Sequence, residues 1–456
     1  MDLSGHSERN CELLCKVKQS YFLFLIFISR CNLNGVASYI LQITLNYILE
    51  EISGDVFSLL IDEASDVSDK EQMVVVLRYV NKYGLIMEQL VGVVHVKETS
   101  AACLKSALEK MFIDIGLTLK QVRGQCYDGA SNMRGEFNGL KAKILEENSS
   151  AYYVHCFAHQ LQLVIVAVSK RNDDIADFFY MISVLFNVVG ASCKRKDMIK
   201  EIHRENVLKA ISSGKISTGT GLNQDQSLQR AGETRWGSHY RTLSGLVQLF
   251  PSVITVLKYV SKEGRRSSKK SEARGLLSYF ATFDFVFYLH MMLHILGSSN
   301  ALSQALQQKD QDILNAMSCV KSTRNELQKL RENGWDSLLE KAYLFCEEHH
   351  IQIDNMHEDY VDRHAPRKKT NKTNLQHYQI ECLNSVIDWQ LQEFDDRFSE
   401  VNSALLGHMA SFSPLDSFAA FTSESLVELA KFYPDDFNSE KLDDLAHELI
   451  TYIDNV

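Results

Sequence analysis

Hydrophobic and polar positions follow a strand-like pattern from residue 55 onward. Buried-strand runs are predicted at Val56–Ile61, Met73–Val80 and Leu90–Val96, separated by short polar turns. Short connections between successive strands favour an antiparallel meander. The first half of the chain therefore begins with three neighbouring strands.

The period then changes to that of a helix. Leu104, Leu108 and Phe112 fall on one helical face after Ser100, and Gly116 supplies a stop signal. Further along, the pattern predicts a strand at Val122–Tyr127, a helix at Gly135–Glu147, a strand at Tyr152–Cys156, and a helix containing Leu161 and Val168. The order βββαβαβα predicts an α/β fold with a ribonuclease H-like mixed sheet.

Beyond about residue 242, helix-compatible runs dominate and proline is sparse, which predicts a large all-α insertion domain. Predicted helices include Phe285–Leu296, Leu302–Lys329 and Leu375–Glu400, and polar linkers are predicted at 212–221 and 362–373. We divide the chain into an unassigned segment (1–48), the ribonuclease H-like core (49–241), the helical insertion (242–421) and a return to the core (422–456).

Composition narrows the functional classes. The net charge of -10 argues against a surface that binds nucleic acid throughout. Ten scattered cysteines without a Cys-x-x-Cys pair indicate an intracellular protein and no structural zinc. The apolar run Tyr21–Ile28 is too short to span a bilayer, so we expect no membrane association.

Two aspartates carry the candidate chemistry. Asp62 closes the first predicted strand and Asp128 closes the fourth, and these strands are neighbours in a sheet of this topology. Carboxylates at such a sheet edge can hold Mg²⁺ or Mn²⁺ for phosphodiester chemistry. Ordinary strand-ending turns are the alternative, because Asp-Gly is a common turn signal. Glu63, Asp66 and Asp69 are secondary candidates that we expect on a solvent-facing turn.

Two further clusters have structural alternatives. His155, Cys156 and His159 form a Cys-x-x-His cluster at the junction of the fifth strand and the following helix. We expect it to support the neighbouring site rather than bind zinc, since zinc needs at least one more ligand. Arg235 and Trp236 could contact phosphate and stack on an unpaired base, or Trp236 could simply belong to the core.

Four segments together resemble blocks of hAT-superfamily DNA transposases, nearest to plant proteins labelled zinc finger MYM-type protein 1-like. They are Leu60-Ile-Asp-Glu-Ala-Ser-Asp66, Gly124-Gln-Cys-Tyr-Asp-Gly-Ala-Ser-Asn-Met-Arg-Gly135, Tyr153-Val-His-Cys-Phe-Ala-His-Gln-Leu-Gln-Leu163 and Thr234-Arg-Trp-Gly-Ser-His239. The later blocks Lys309–Met317, Asn333–Ser337 and Phe432–Phe437 are similar to the same group.

The resemblance implies roles for the candidate residues. Asp62 and Asp128 would be the first two metal-binding acids of a DNA strand-transfer site, supported by Cys156 and His159. Arg235 and Trp236 would contact DNA, Trp236 by stabilising a flipped base. The family resemblance also implies a nuclear protein with DNA as a partner, and the helical domain could bind protein partners.

The chain also departs from the family pattern. The third catalytic acid of the family, a Glu, stands in a C-terminal Ser-x-x-Glu-Arg-x-Phe-Ser-like block within the dimerisation region, and no such block occurs before Val456. We therefore expect a transposon-derived protein without present catalysis. The alternatives are a domesticated non-catalytic interaction or DNA-associated regulatory module, and a gene-model fragment without a cellular role.

Overall fold

The structure is a computed structural model that divides into two compact units. It describes residues 34–52, 54–65, 70–190, 192–214, 216, 227–232, 237–262, 268–308, 311–362, 367, 369–398, 404–412 and 421–453. The first unit comprises the described residues of Met1–Gln160, Gln304–Cys319 and Arg397–Val456, and the second comprises those of Leu161–Ser303 and Val320–Asp396.

The first unit contains a five-stranded mixed sheet of order β3-β2-β1-β4-β5. The pairs β1–β2 and β2–β3 are antiparallel, whereas β1–β4 and β4–β5 are parallel. This confirms the predicted ribonuclease-like mixed sheet, with the first strand central and beside the fourth. The strands are β1 (Phe57–Ser65), β2 (Glu71–Val80), β3 (Ile86–His95), β4 (Val122–Tyr127) and β5 (Tyr152–His155).

Alternation along the strands builds the core of this unit. In β2, Met73, Val75, Leu77 and Tyr79 are buried on one face, as period-two geometry requires. The helix that follows β3, Ala101–Ile115, covers the sheet, and its Phe112 ring meets Phe57 of β1 edge-on at 5.8 Å between centroids.

The predicted signals at both ends of that helix are confirmed. The Ser100 hydroxyl accepts a hydrogen bond from the Cys103 amide at 3.4 Å, and Gly116 ends the helix with φ of 77°. The other helices of the first unit are Asn34–Ile52, Ser131–Arg134, Leu140–Leu145, Ala404–Met409, Ser423–Lys431 and Ser439–Ile453, and the Phe157–Arg171 helix begins there.

Several predicted elements differ from the observed ones. The first strand runs on to Ser65, and the third begins at Ile86. The helix predicted at 135–147 begins only at Leu140. From Gly135 to Gly139 the chain makes a tight turn instead of a helix. A β-carbon on Gly139 would lie only 2.4 Å from the Gly135 amide nitrogen. The polar turn predicted between the first two strands lies largely outside the described residues, as do parts of both predicted linkers.

The second unit is helical, which confirms a large all-α part. It begins at Leu161, and the insertion bounds 242–421 stay a prediction. The helix predicted at 302–329 is two helices, ending at Leu306 and restarting at Ile313, and the one predicted at 375–400 begins as a π-helix. Its elements, some extending into the first unit, are Phe157–Arg171, Asp173–Val189, Cys193–Ser212, Gly237–Lys262, Ser268–Phe280, Phe283–Leu306, Ile313–Asn333, Trp335–His349, the π-helix Gln376–Asn384 and Ser385–Arg397.

In the described part of the chain, two helices are long and apolar enough to cross a membrane, Ser238–Lys262 and Phe283–Leu306. The bent pair of helices Asp173–Val189 and Cys193–Ser212 would make a third span if the two were counted together. Half of the apolar window of the first and two-thirds of that of the second are buried inside the protein. A helix that is apolar on all faces is also typical of the centre of a large helical domain.

Candidate active site

The parallel pairing of β1 and β4 brings the two predicted aspartates to equivalent positions. Leu60 pairs with Cys126, and Asp62 and Asp128 each lie two residues further along their strands. Asp128 directly follows β4, as predicted. Asp62, however, does not close its strand, because β1 continues to Ser65 and Asp62 still pairs with Val74 of β2. Its side chain is exposed.

The Asp128 side chain organises the turn after β4. Its Oδ1 atom accepts a hydrogen bond from the Ala130 amide at 3.1 Å, and the helix Ser131–Arg134 begins directly afterwards. An aspartate that accepts from an amide two residues ahead is a standard turn-forming arrangement. This explains why the residue fits the turn, and it leaves the second carboxylate oxygen for another contact.

Glu63 is a third carboxylate at this edge, and its predicted position was wrong. Instead of lying on a solvent-facing turn, Glu63 is half-buried in β1, and its Oε1 accepts a hydrogen bond from Asn132 Nδ2 at 3.0 Å. Asn132 Nδ2 also donates to the Thr99 carbonyl at 2.6 Å. Asp66 and Asp69 lie outside the described residues.

The pKa of Glu63 shows how much negative charge lies at this edge of the sheet. Burial raises the pKa of Glu63, and the carboxylate of Asp128 raises it further. The hydrogen bond from Asn132 lowers this pKa, whereas Glu71 and Asp62 make smaller contributions that raise it. Like charges near one another disfavour ionisation in this way. The edge therefore concentrates negative charge that a bound divalent cation would neutralise.

The fifth strand supports the Asp128 turn from below. The Tyr153 hydroxyl donates to the carbonyls of Tyr127 at 3.3 Å and Asp128 at 3.1 Å. The His155 ring lies so close to Gly129 that a β-carbon there would come within 2.7 Å of the His155 Cε1 atom. Only glycine fits at position 129 without displacing the imidazole or the turn.

His155 is buried as a neutral imidazole. It is 3% exposed and its Nε2 atom makes no hydrogen bond to the described residues. Burial lowers the pKa of His155 to about 4, and the nearby His159 and Arg134 act in the same direction. His155 belongs to the cluster that was predicted to support the site, whereas Tyr153 was not singled out from the sequence.

Cys156 and His159, predicted to support the site, lie where the fifth strand passes into the next helix. The Cys156 amide donates to the Tyr127 carbonyl at 3.1 Å, and the rings of His159 and His155 lie 5.5 Å apart. A hydrogen bond from the neighbouring Cys126 thiol lowers the pKa of Cys156, and the amides of His159 and Ala158 lower it further, against the effect of burial.

The two residues predicted to contact DNA, Arg235 and Trp236, lie outside the described residues. The adjoining described segment includes a hydrogen bond at 2.8 Å from the Gly232 amide to the Ser238 hydroxyl, close to the start of the Gly237–Lys262 helix. The roles predicted for Arg235 and Trp236 remain predictions.

The donor set fits a hard divalent cation better than zinc. Mg²⁺ and Mn²⁺ prefer a few carboxylate oxygens with water completing the shell, and Asp62 and Asp128 supply such oxygens at an edge of excess negative charge. Within the described residues, a third His, Cys, Asp or Glu does not join these two in a group with ligand atoms within 4.8 Å of one another.

Comparison with known proteins gives a family match over the sheet. Residues 34–139 match the family described as DUF4371: ZMYM1/FAM200, RNase-like domain. This range contains both aspartates and the first four strands.

Two curated proteins are distant relatives. A human protein named 52 kDa repressor of the inhibitor of the protein kinase is 19% identical over 351 residues, covering 75% of this chain and 44% of the relative. The mouse protein of the same name is 21% identical over 284 residues, covering 61% of this chain and 36% of the relative. The chain thus spans less than half the length of either relative.

Proposed function

We propose that this protein is a hAT transposase-derived, nuclear, DNA-associated regulatory protein, nearest to the plant zinc finger MYM-type protein 1-like group. Its ribonuclease H-like core keeps a divalent-cation site at Asp62 and Asp128 but does not cut DNA. The observation that carries the proposal is the equivalent placement of these two acids, each two residues beyond the Leu60–Cys126 pair of adjacent parallel strands.

The residues around Asp128 support a preorganised site. The Ala130 amide holds one carboxylate oxygen, while Tyr153 and His155 fix the turn that carries it. Asp62 is exposed on the neighbouring strand, so a phosphate could approach it. When bound, a divalent cation would supply a positive charge that binds the DNA backbone and stabilises charge on phosphate oxygens.

The surroundings of Glu63, a third acid at this sheet edge, support the part of the proposal that excludes DNA cleavage. The Glu63 carboxylate accepts a hydrogen bond from Asn132 Nδ2 at 3.0 Å. To become a third ligand for a pair of catalytic cations, this oxygen would have to give up that hydrogen bond. The core then binds a cation and DNA without assembling a two-cation strand-transfer site.

The regulatory part of the proposal is supported by the distant relatives, whose shared name describes a repressor. A second candidate function is a protein-interaction module without any DNA contact. It is favoured by the size of the helical unit, which spans Leu161–Ser303 and Val320–Asp396, and by the overall negative charge of the chain.

Two assays on one protein preparation test the proposal. Fluorescence anisotropy with a labelled DNA duplex should show Mn²⁺-strengthened binding that Asp62→Asn and Asp128→Asn weaken and that the exposed Asp114→Asn does not. Supercoiled plasmid incubated with Mn²⁺ should remain intact. Plasmid nicking abolished by Asp62→Asn would contradict the non-cleaving function, and the lack of any DNA binding would favour the protein-interaction module.

A further inference from the structure

The helical unit contains a second cluster of metal-ligating side chains, outside the sheet. Asp174, His377 and Cys382 offer ligand atoms that all lie within 4.8 Å of one another. Asp174 is in the first turn of the Asp173–Val189 helix, whereas the other two are in the π-helix Gln376–Asn384. Two elements almost 200 residues apart in the sequence thus meet at one point.

The π-helix explains how His377 and Cys382 meet. On an α-helix, residues five apart are turned about 140° from each other, so their side chains diverge. A π-helix closes its hydrogen bonds between residues five apart, which lie about one turn apart and so much nearer the same face. In this protein the π-helix spans nine residues. Most π-helices are single-turn bulges within α-helices, and they occur frequently at functional sites.

The distance between the two donor atoms fits one metal ion. His377 Nε2 and Cys382 Sγ are 3.6 Å apart. In a tetrahedral zinc site, with Zn–S near 2.3 Å and Zn–N near 2.0–2.1 Å, the edge between sulfur and nitrogen is about 3.6 Å. The pair is therefore already spaced for joint coordination.

Neighbouring side chains hold these donors in place. The Tyr288 hydroxyl lies 3.1 Å from Cys382 Sγ and 3.4 Å from His377 Nε2, and the Tyr360 ring stacks on the His377 ring at 3.6 Å between centroids. Hydrogen bonding and packing of this kind orient metal ligands in proteins. His377 Nδ1 lies 3.5 Å from a carboxylate oxygen of Glu381, the outer partner typical of a metal-binding histidine.

Burial and charge also fit a metal centre. Cys382 and His377 are 1% and 4% exposed, while Asp174 is half-buried. A thiolate and a carboxylate together carry two negative charges, which a divalent cation would balance in a site where unpaired charge is costly.

We propose that Asp174, His377 and Cys382 bind a Zn²⁺ ion with three protein ligands, which links the Asp173–Val189 helix to the π-helix. A thiolate, an imidazole and a carboxylate are ligands of zinc sites, and the thiolate disfavours Mg²⁺ or Ca²⁺. The Tyr288 hydroxyl hydrogen-bonds the bound thiolate, and water completes the tetrahedron. On binding, the Cys382 thiol releases its proton to solvent as the Zn–S bond forms. This departs from our expectation of no structural zinc.

Metal analysis of the full chain tests the proposal. After purification with zinc and exhaustive dialysis, elemental mass spectrometry should find about one zinc ion per chain. Substituting Co²⁺ should give a sulfur-to-cobalt charge-transfer band. Cys382→Ser should abolish the band, and Asp174→Asn and His377→Gln should weaken zinc retention. Tyr288→Phe should weaken zinc binding by about tenfold.

Matched controls separate this site from others and from misfolding. Cys346 is an equally buried cysteine in the same unit, and Cys346→Ser should keep both the zinc and the band, as should Asp62→Asn at the sheet edge. If Cys382→Ser does not fold, two measurements still test the proposal. These are zinc retention by Asp174→Asn, at a partly exposed position, and removal of zinc from the wild-type protein with a chelator. Zinc that is absent from the wild type, or unchanged in all three ligand variants, would overturn the proposal and leave a hydrogen-bonded polar cluster.

Discussion

The imidazole of His155 lies directly against Gly129, with Cε1 and Nε2 only 2.7 and 2.9 Å from where a β-carbon would stand. The contact fixes the peptide that follows Asp128, so the position of that carboxylate depends on a ring two strands removed from Asp62. Several consequences of this arrangement, and of the contacts around it, can be measured.

Gly129→Ala should destabilise the protein by about 1–3 kcal/mol, because the added methyl overpacks a filled site. It should also weaken divalent-cation binding by moving Asp128. Urea unfolding gives the free energy, and calorimetry gives the affinity. Gly245→Ala is the control, because position 245 is helical with open space around it, and there alanine should stabilise by about 0.5–1 kcal/mol. Equal effects of the two substitutions would refute the close contact.

Protonation of His155 should destabilise the fold in mild acid. Its folded pKa of about 4 lies below the ordinary value of 6.5, so the unfolded chain binds the proton first as the pH falls. The stabilisation is fully present above pH 6.5 and is lost progressively towards pH 4, by up to about 1.4 kcal/mol per pH unit. His155→Gln should therefore show a shallower loss of stability between pH 6.5 and 4.5 in urea unfolding, and parallel curves for the two proteins would be inconsistent with a buried neutral imidazole.

Glu63→Gln should leave the protein as stable as the wild type or more so at pH 7. Burial and the charge of Asp128 raise the pKa of Glu63, so ionising it is unfavourable, and glutamine keeps an oxygen for the Asn132 hydrogen bond. For an acid with a raised folded pKa, stability rises as the pH falls through that pKa, and the substitution should remove this rise. Urea unfolding at pH 7 and pH 5 measures both effects, with the exposed Glu136→Gln as control. A large loss of stability at pH 7 would contradict the account.

The bidentate ion pair between Arg123 and Asp436 should hold the C-terminal segment on the sheet. Arg123 Nε and Nη2 donate to the two Asp436 carboxylate oxygens at 2.6 and 2.7 Å, and the Tyr152 hydroxyl donates to the Phe432 carbonyl nearby. Asp436→Asn should speed amide hydrogen exchange in Ser423–Lys431 and Ser439–Ile453 while leaving β1 and β2 unchanged. The adjacent exposed Asp435→Asn is the control, and identical exchange in both variants would show that the pair is dispensable.

The sheet could be predicted from sequence because its signals are local. Apolar runs bounded by turn residues indicated each strand, and β4 matched its predicted bounds. The end of β1 was missed because Asp62 and Glu63 resemble turn residues although they remain paired to β2. His155 was part of the predicted supporting cluster, but its contact with Gly129 could not be predicted, since it depends on the parallel register of β4 and β5.

The cluster in the helical unit was hidden for two physical reasons. Asp174 is distant in sequence from its partners, and His377 and Cys382 are spaced five apart, which an α-helical pattern assigns to different faces. Only the π-helix brings them together. The predicted DNA contacts of Arg235 and Trp236 stand as predictions from resemblance.

The most direct test of the proposed function is calorimetric titration of the purified chain with Mn²⁺ at neutral pH. We expect a saturable site whose affinity falls at least tenfold in Asp62→Asn and in Asp128→Asn, and no further in the double variant, because the two carboxylates share one ion. The exposed Asp114→Asn should bind like the wild type. Binding that is absent, or that is unaffected by either aspartate, would contradict the cation site on which the account rests.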